Sequence, residues 1–252
     1  MHITYDQFIL ELRECYNSVV DWNILAGNPC RPNFTGRAST SLDPNYAVAL
    51  PNQTRRIKSE LLETNKATDY AELLDGVCDV FVTAAYLCYL RHTELETLRL
   101  TLEGFDSAKP LPGPYIKERA GSLWMAPVDT EGKFGIITAN MILSASCYWL
   151  WRLQRELDID SAAALRAILE DNHSKFIPSV TIWAIQETCA HYVDAGQEVL
   201  GTVMIHNGVR YGVFRRRSDN KIMKPVSYLK AQALDLRPFF WKAQVNSDTI
   251  VE

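Results

Sequence analysis

Apolar residues recur at three- and four-residue spacing from about Ile3 to Ala26, with Phe8, Ile9, Leu12, Cys15 and Val19 among them, and that period predicts an amphipathic helix. The stretch "GNPCRPN" then ends it with a glycine and two prolines, and "TGRASTSLDPN" reads as a loop. A second helix is expected from about Tyr46 or Asn52 to Lys66, and a third from Asp69 or Tyr70 to about Arg91, with Asp69 as its cap. Many of the prolines and glycines then gather in "AKPLPGPY" and "APVDTEGKFG", which marks an ordered loop or insertion. Helical patterning resumes in "TANMILSASCYWLWRLQREL", apolar over so much of its surface that it belongs at the centre of the fold or at a subunit interface. "LDID" makes a turn with an aspartate cap before "SAAALRAILEDNHSKF", and after Pro178 another helix is expected at about Thr181 to Ala195. In "EVLGTVMIHNGVRYGVFRRR" the pattern changes to alternation around Asn207-Gly208, the signature of a β-hairpin. No repeat of fixed period is present.

A chain of 252 residues, 47% of them apolar, can bury one sizeable core. The net charge of −4 gives no general attraction to a polyanion, so nucleic acid is not the expected partner, and Arg215, Arg216 and Arg217 read as solvated hairpin-end charges. The N-terminus lacks the basic stretch and apolar core of a leader, and no uncharged apolar run reaches the length of a membrane span, so the expectation is a cytoplasmic protein without a membrane role. The cysteines are scattered without a C-x-x-C pair, which predicts reduced, buried thiols.

The chemistry is concentrated in "RRIKSELLETNKATDYAELLDGVCDVFVTAAYL". At about 100° per residue, Glu60 and Glu63 share one side of the second helix, and Glu72, Asp75 and Asp79 share one side of the third. The short loop between them predicts an antiparallel pair that brings the two acidic faces near each other. Asp79 falls among residues expected to be buried, where a carboxylate needs a positive partner. Isolated E-x-x-E pairs are common on solvated helix faces, but the five together favour a divalent cation, and oxygen ligands without histidine or thiolate suit magnesium, or manganese, over zinc.

"WNILAGNP", "RIKSELLE", "ELLDGVCDVFV" and "DNHSKF" occur in that order, and together they resemble the motifs of the all-α nucleoside triphosphate pyrophosphohydrolases, the MazG-like and dimeric dUTPase-like group. The tail "DNKIMKPVSYLKAQALDLRPF" resembles the ending of relatives in phages and bacteria. The resemblance implies a magnesium site made by E-x-x-E on one helix and an acidic motif on the next, with Glu60 and Glu63 in the catalytic role. It departs at Ser59, where relatives often carry a further glutamate, and at Gly76, three residues before Asp79, so the acidic pair of the third helix is Asp75 with Asp79 or Glu72 with Asp75. It also implies that Asn172 and Lys175, three apart on one helix face, contact the nucleotide. Lys224 and Tyr228 are candidates to close over its phosphates, and Trp22 and Asn23 to recognise the base by stacking and hydrogen bonding. An amphipathic helix would bury such a tryptophan simply as core.

The expected architecture is therefore an all-α, MazG-like four-helix core in a single domain spanning 1–252, with an insertion at about 103–135 and a small C-terminal β-hairpin and tail over about 196–252. The expected activity is magnesium-dependent conversion of a nucleoside triphosphate to monophosphate and pyrophosphate, with dUTP- or dCTP-type substrates ahead. A homodimer or homotetramer in the cytoplasm is expected, that of the host if the gene is a phage's. The alternative is an inactive nucleotide-binding or interaction protein, with Ser59 and Gly76 as the signs of lost activity. A di-iron protein would need two Glu-x-x-His strings, and only "EDNH" at 170–173 is present.

Overall fold

The computed structural model describes residues 3–29, 44–91, 136–229 and 234–240; the insertion at about 103–135, Cys30 and the rest of the C-terminal tail lie outside the described residues. Among them are seven α-helices: α1 (Tyr5–Leu25), α2 (Pro44–Thr64), α3 (Tyr70–Leu90), α4 (Ile136–Leu157), α5 (Ser161–His173), α6 (Ile182–Asp194) and α7 (Val226–Leu229). Three strands, β1 (Ile177–Pro178), β2 (Val199–His206) and β3 (Val209–Arg216), form an antiparallel sheet in the order β1-β3-β2. This corrects the expectation of an all-α, MazG-like four-helix core with a β-hairpin. The hairpin is there, but β1 extends it on the far side of β3, through Ile177↔Gly212 and Pro178↔Tyr211. A strand of two residues is too short to show alternation, so nothing in the pattern announces it.

The chain divides into two compact units, one of Met1–Val20, Pro29–Arg166 and Asp235–Glu252, the other of Asp21–Asn28 and Ala167–Leu234. In the first, Phe8, Leu12 and Val19 of α1, Ile57 and Leu61 of α2, Leu74, Phe81 and Leu87 of α3 and Leu143, Trp149 and Leu150 of α4 form the buried core. Each side chain of that size removed from water contributes roughly 1.5–3 kcal/mol. Trp151 of α4 takes Phe8 at 5.0 Å and Tyr5 at 5.3 Å between ring centroids. Of the described side chains of the apolar α4, Met141 and Arg155 are exposed and the rest are buried or half-buried, so most of that surface is spent inside its own unit. Helix α3 is also long and apolar enough to cross a membrane, yet 72% of that stretch is buried inside the fold, where a core helix belongs.

Local signals set the helix ends. Thr4 and Gln7 open α1 with a reciprocal capping box, each backbone N–H reaching the other's side chain. Asp69 caps α3 by accepting from the Glu72 N–H at 2.8 Å, Asp160 accepts from the Ala163 N–H at 3.1 Å, and Thr181 caps α6. Pro51 lies inside α2, which therefore runs through it instead of starting after it.

In the second unit, α1 ends in a Schellman turn: Gly27, at φ 70°, donates to the Ile24 carbonyl and Asn28 to that of Asn23, both at 2.9 Å. Leu25, Ala26, Phe176 and Val213 pack there with Trp22, Met204, Tyr211 and Ile222 around them. A second cluster of Tyr192, Val199 and Phe214, with Ile185 and Cys189 beside it, joins α6 to the sheet. Asn207 and Gly208 both adopt positive φ, 50° and 77°, as a two-residue hairpin turn requires.

Candidate functional site

Helices α2 and α3 form the antiparallel pair that the short 65–69 connection requires, and Gly76 sets how closely they pack. A Cβ at Gly76 would lie 2.5 Å from the Thr64 Oγ1 and 3.0 Å from the Thr64 Cα, so only hydrogen fits against α2 at this point. That accounts for Gly76 where an acidic residue was the alternative: its backbone is the contact surface. One helical turn further from the connection, Glu60 on α2 and Asp79 on α3 flank the same seam, and both are half-buried. Asp79 is therefore at the edge of the core instead of inside it.

The other three carboxylates are exposed. Glu63 accepts from the Ser59 hydroxyl at 3.2 Å. Asp75 lies near enough to Cys78 for its charge, with that of Asp79, to add to the effect of burial in raising the thiol's pKa. Glu72 accepts from the Thr68 N–H at 2.7 Å and the Thr68 hydroxyl at 2.9 Å. These bonds, the backbone one first, hold its carboxyl below the usual range. Glu72 thus serves the start of α3, and the acidic pair best placed on the seam is Glu60 with Asp79.

Among the described residues no group of three or more histidine, cysteine, aspartate or glutamate side chains is arranged to enclose a metal. The donor chemistry at the seam nevertheless fits magnesium, which keeps several waters and is commonly held by one or two carboxylates together with substrate phosphates. The five described cysteines are unpaired thiols. Burial pushes Cys15 and Cys88 up to about 12, which makes them inert core groups and removes them as ligands.

The second unit contains all six residues expected to contact a nucleotide, and five of them are linked. The Trp22 indole N–H donates to the Asn172 carbonyl at 2.9 Å, and the Lys175 ammonium donates to the Asn172 side-chain oxygen. The Tyr228 hydroxyl donates to Asp171, and the Lys224 ammonium stands 4.3 Å from the centre of the Tyr228 ring. Burial, then the bond to Asp171 and its charge, raise the Tyr228 pKa. The Lys224 carbonyl accepts from the Tyr192 hydroxyl at 2.7 Å, which ties this segment to α6.

Two of the six differ from expectation in their surroundings. The ring of Trp22 packs at 5.3 Å from Phe176 in the core cluster, and Asn23 is 4% exposed, its side-chain oxygen accepting from Asn28 at 2.6 Å. Packing and turn closure account for both. Lys175 lies in the turn after α5, not on a shared helix face with Asn172.

Asp171 was missed by sequence reasoning, although a signal existed. An acidic side chain in the last turn of a helix opposes the dipole and so asks for a donor, here Tyr228. The three arginines also have specific partners. Arg215 donates to the Ala26 carbonyl and, at 2.8 Å, to the Asn28 side chain at the end of α1, Arg216 pairs with Asp219, and Arg217 with Glu198.

No family model, curated protein or solved structure matches this chain. The functional reading therefore rests on the motifs and on the geometry of these two regions.

Proposed function

We propose that the protein is a magnesium-dependent nucleoside triphosphate pyrophosphohydrolase, releasing monophosphate and pyrophosphate. The observation that carries this reading is the pair of half-buried carboxylates, Glu60 and Asp79, on facing helices one turn beyond the Gly76–Thr64 contact. The order of motifs that resembles the all-α pyrophosphohydrolases supports it. When bound, magnesium supplies charge neutralisation for the triphosphate oxygens and for the pyrophosphate that leaves. Glu60 and Asp79 are the residues that would hold it, with Asp75 at the margin.

Glu63 is exposed on the same helix as Glu60, and its contact with Ser59 orients its carboxylate. Its role in this reading is to accept the proton of the attacking water. Within the second unit, taken by itself, Lys175 and Lys224 are cationic groups and Asn172 an amide group of the kind that contacts nucleotides, and Asp171 holds the Tyr228 hydroxyl.

The test is pyrophosphate release from a panel of standard and modified nucleoside triphosphates, with and without magnesium. Release from at least one substrate, lost in Glu60→Gln and Asp79→Asn, is the expected outcome. Orthophosphate as the product would overturn the reaction type. A second reading, nucleotide binding without hydrolysis, is favoured by the commitment of Glu72 to the α3 cap and by Gly76. Magnesium-dependent nucleotide binding with no product from any substrate would establish it.

A further inference from the structure

The sheet order leaves β2 at an edge, joined on its inner side to β3 by an unbroken register from Val199↔Arg216 to His206↔Val209. A two-residue turn makes the flanking pair His206↔Val209 a hydrogen-bonded one, and alternation down the ladder then turns the N–H and C=O groups of Val199, Gly201, Val203 and Ile205 away from β3. Among the described residues no strand meets that outer edge. Natural edge strands are usually guarded by lysine, proline or a bulge. "VLGTVMIH" has no charged residue and no proline, and its ladder has no bulge.

Side chains reinforce the backbone argument. Helix α6 covers the sheet at Gly201, where an added Cβ would meet Ile185 at 2.6 Å, but leaves Val203 and Ile205 at 38% and 73% exposure. Ile182 and Trp183 at the start of α6 are exposed as well, at 70% and 81%. At the end of the strand, Glu198 is already paired with Arg217.

We propose that β2 pairs antiparallel with β2 of a second copy of this chain, about a two-fold axis, joining two sheets into one. An uncharged strand is its own complement under that symmetry: no like charges oppose across the axis, and each copy satisfies the other's unpaired backbone groups. Such an edge gives a charged peptide nothing to pair with. The apolar α4, the sequence feature that suggested an oligomer, is mostly spent inside its own unit, whereas the β2 edge is not.

Light scattering with amide hydrogen exchange tests this on the full chain and on Val203→Pro. The Val203 N–H points away from β3, so proline removes the outward donor and none from the β2–β3 ladder. The wild type is expected at twice the chain mass at micromolar concentration, with the Val203 and Ile205 amides protected. Val203→Pro is expected at half that mass, with the Thr202 and Met204 amides still protected. If the proline also exposes Thr202 and Met204, Ile205→Lys decides, because it places a charge at the edge without touching the backbone, and it too is expected to be monomeric. A monomeric wild type, a dimer that survives the intact variant, or a dimer whose Val203 and Ile205 amides exchange freely would overturn the proposal.

Discussion

The α2–α3 seam and the polar network of the second unit solve opposite problems. In the second unit, Lys175 engages Asn172, and Asp171 and Lys224 each engage Tyr228, so these groups already have protein partners. At the seam, the carboxylates are set by the helices that carry them: Gly76 brings α2 and α3 together, and Glu60 and Asp79 follow from the helical repeat. A network of partnered groups has a structural explanation of its own. Two half-buried acids flanking a close helix contact are the arrangement on which the proposed cation site depends.

The largest effect that could break this contrast is on turnover. Glu60→Gln and Asp79→Asn each keep side-chain volume and remove a charged ligand. Because losing even an outer partner of a metal ligand costs about 10–100-fold, pyrophosphate release should fall by at least about 100-fold in each. The melting temperature without magnesium should hold or rise, because clustered anions repel one another. Activity lost only in step with unfolding would make these two structural residues, like the network of the second unit.

Next in size is the helix contact that positions the pair. Gly76→Ala gains about 1 kcal/mol in helix propensity, but it drives a Cβ into Thr64, and overpacking of this kind costs roughly 1–3 kcal/mol. A net loss of stability is expected in thermal denaturation. Thr64→Ala in the same chain should recover part of it, since the nearest atom is the Thr64 hydroxyl. Additive losses would mean that the contact does not set the approach of the helices.

Gly76 also marks the limit of what the sequence discloses. Helix existence, the Asp69 and Asp160 caps and the Asn207-Gly208 turn were legible because each depends on local spacing or on one side chain's bond to its own backbone neighbourhood. Helix α2 ran past Pro51 because tertiary packing can outweigh one lost backbone bond. The third strand and the Tyr228–Asp171 bond depend on partners tens of residues away, which no local period encodes. At the candidate site, the residues were legible and their division of labour was not. Glu72 and Asp79 look equivalent on a helical wheel, and only the fold assigns one to the α3 cap and the other to the seam.

Alkaline pH separates the two regions with a smaller effect. Cys15 and Cys88 in the first unit are raised from an ordinary 9.0 to about 12, so what they contribute to stability is whole below pH 9.0 and is lost as pH rises toward 12. Tyr228 in the second unit is raised from an ordinary 10.0, so its contribution is whole below 10.0 and declines above it. Amide exchange followed from pH about 8 to about 11 should therefore show the first unit weakening before the second. Tyr228→Phe should remove the dependence tied to that hydroxyl, at a cost of about 1–2 kcal/mol at neutral pH for the lost bond to a carboxylate. The opposite order of weakening would show that burial of the thiols is not what distinguishes the units.

The smallest effect bears on Glu72, the carboxylate that both explanations claim. As a cap, it is held by the Thr68 N–H and hydroxyl, and its lowered pKa means that its contribution is present above the ordinary value of 4.5 and fades as pH falls through the lowered one. Glu72→Gln should lower the melting temperature slightly at neutral pH, and the gap to the wild type should close as the medium becomes more acid than 4.5. Its rate of pyrophosphate release should match the wild type, because the amide oxygen can still accept from Thr68 and no cation depends on it. A rate that collapsed at unchanged melting temperature would move Glu72 from the cap to the metal, and with it the boundary between the half of the acidic stretch that builds α3 and the half that acts.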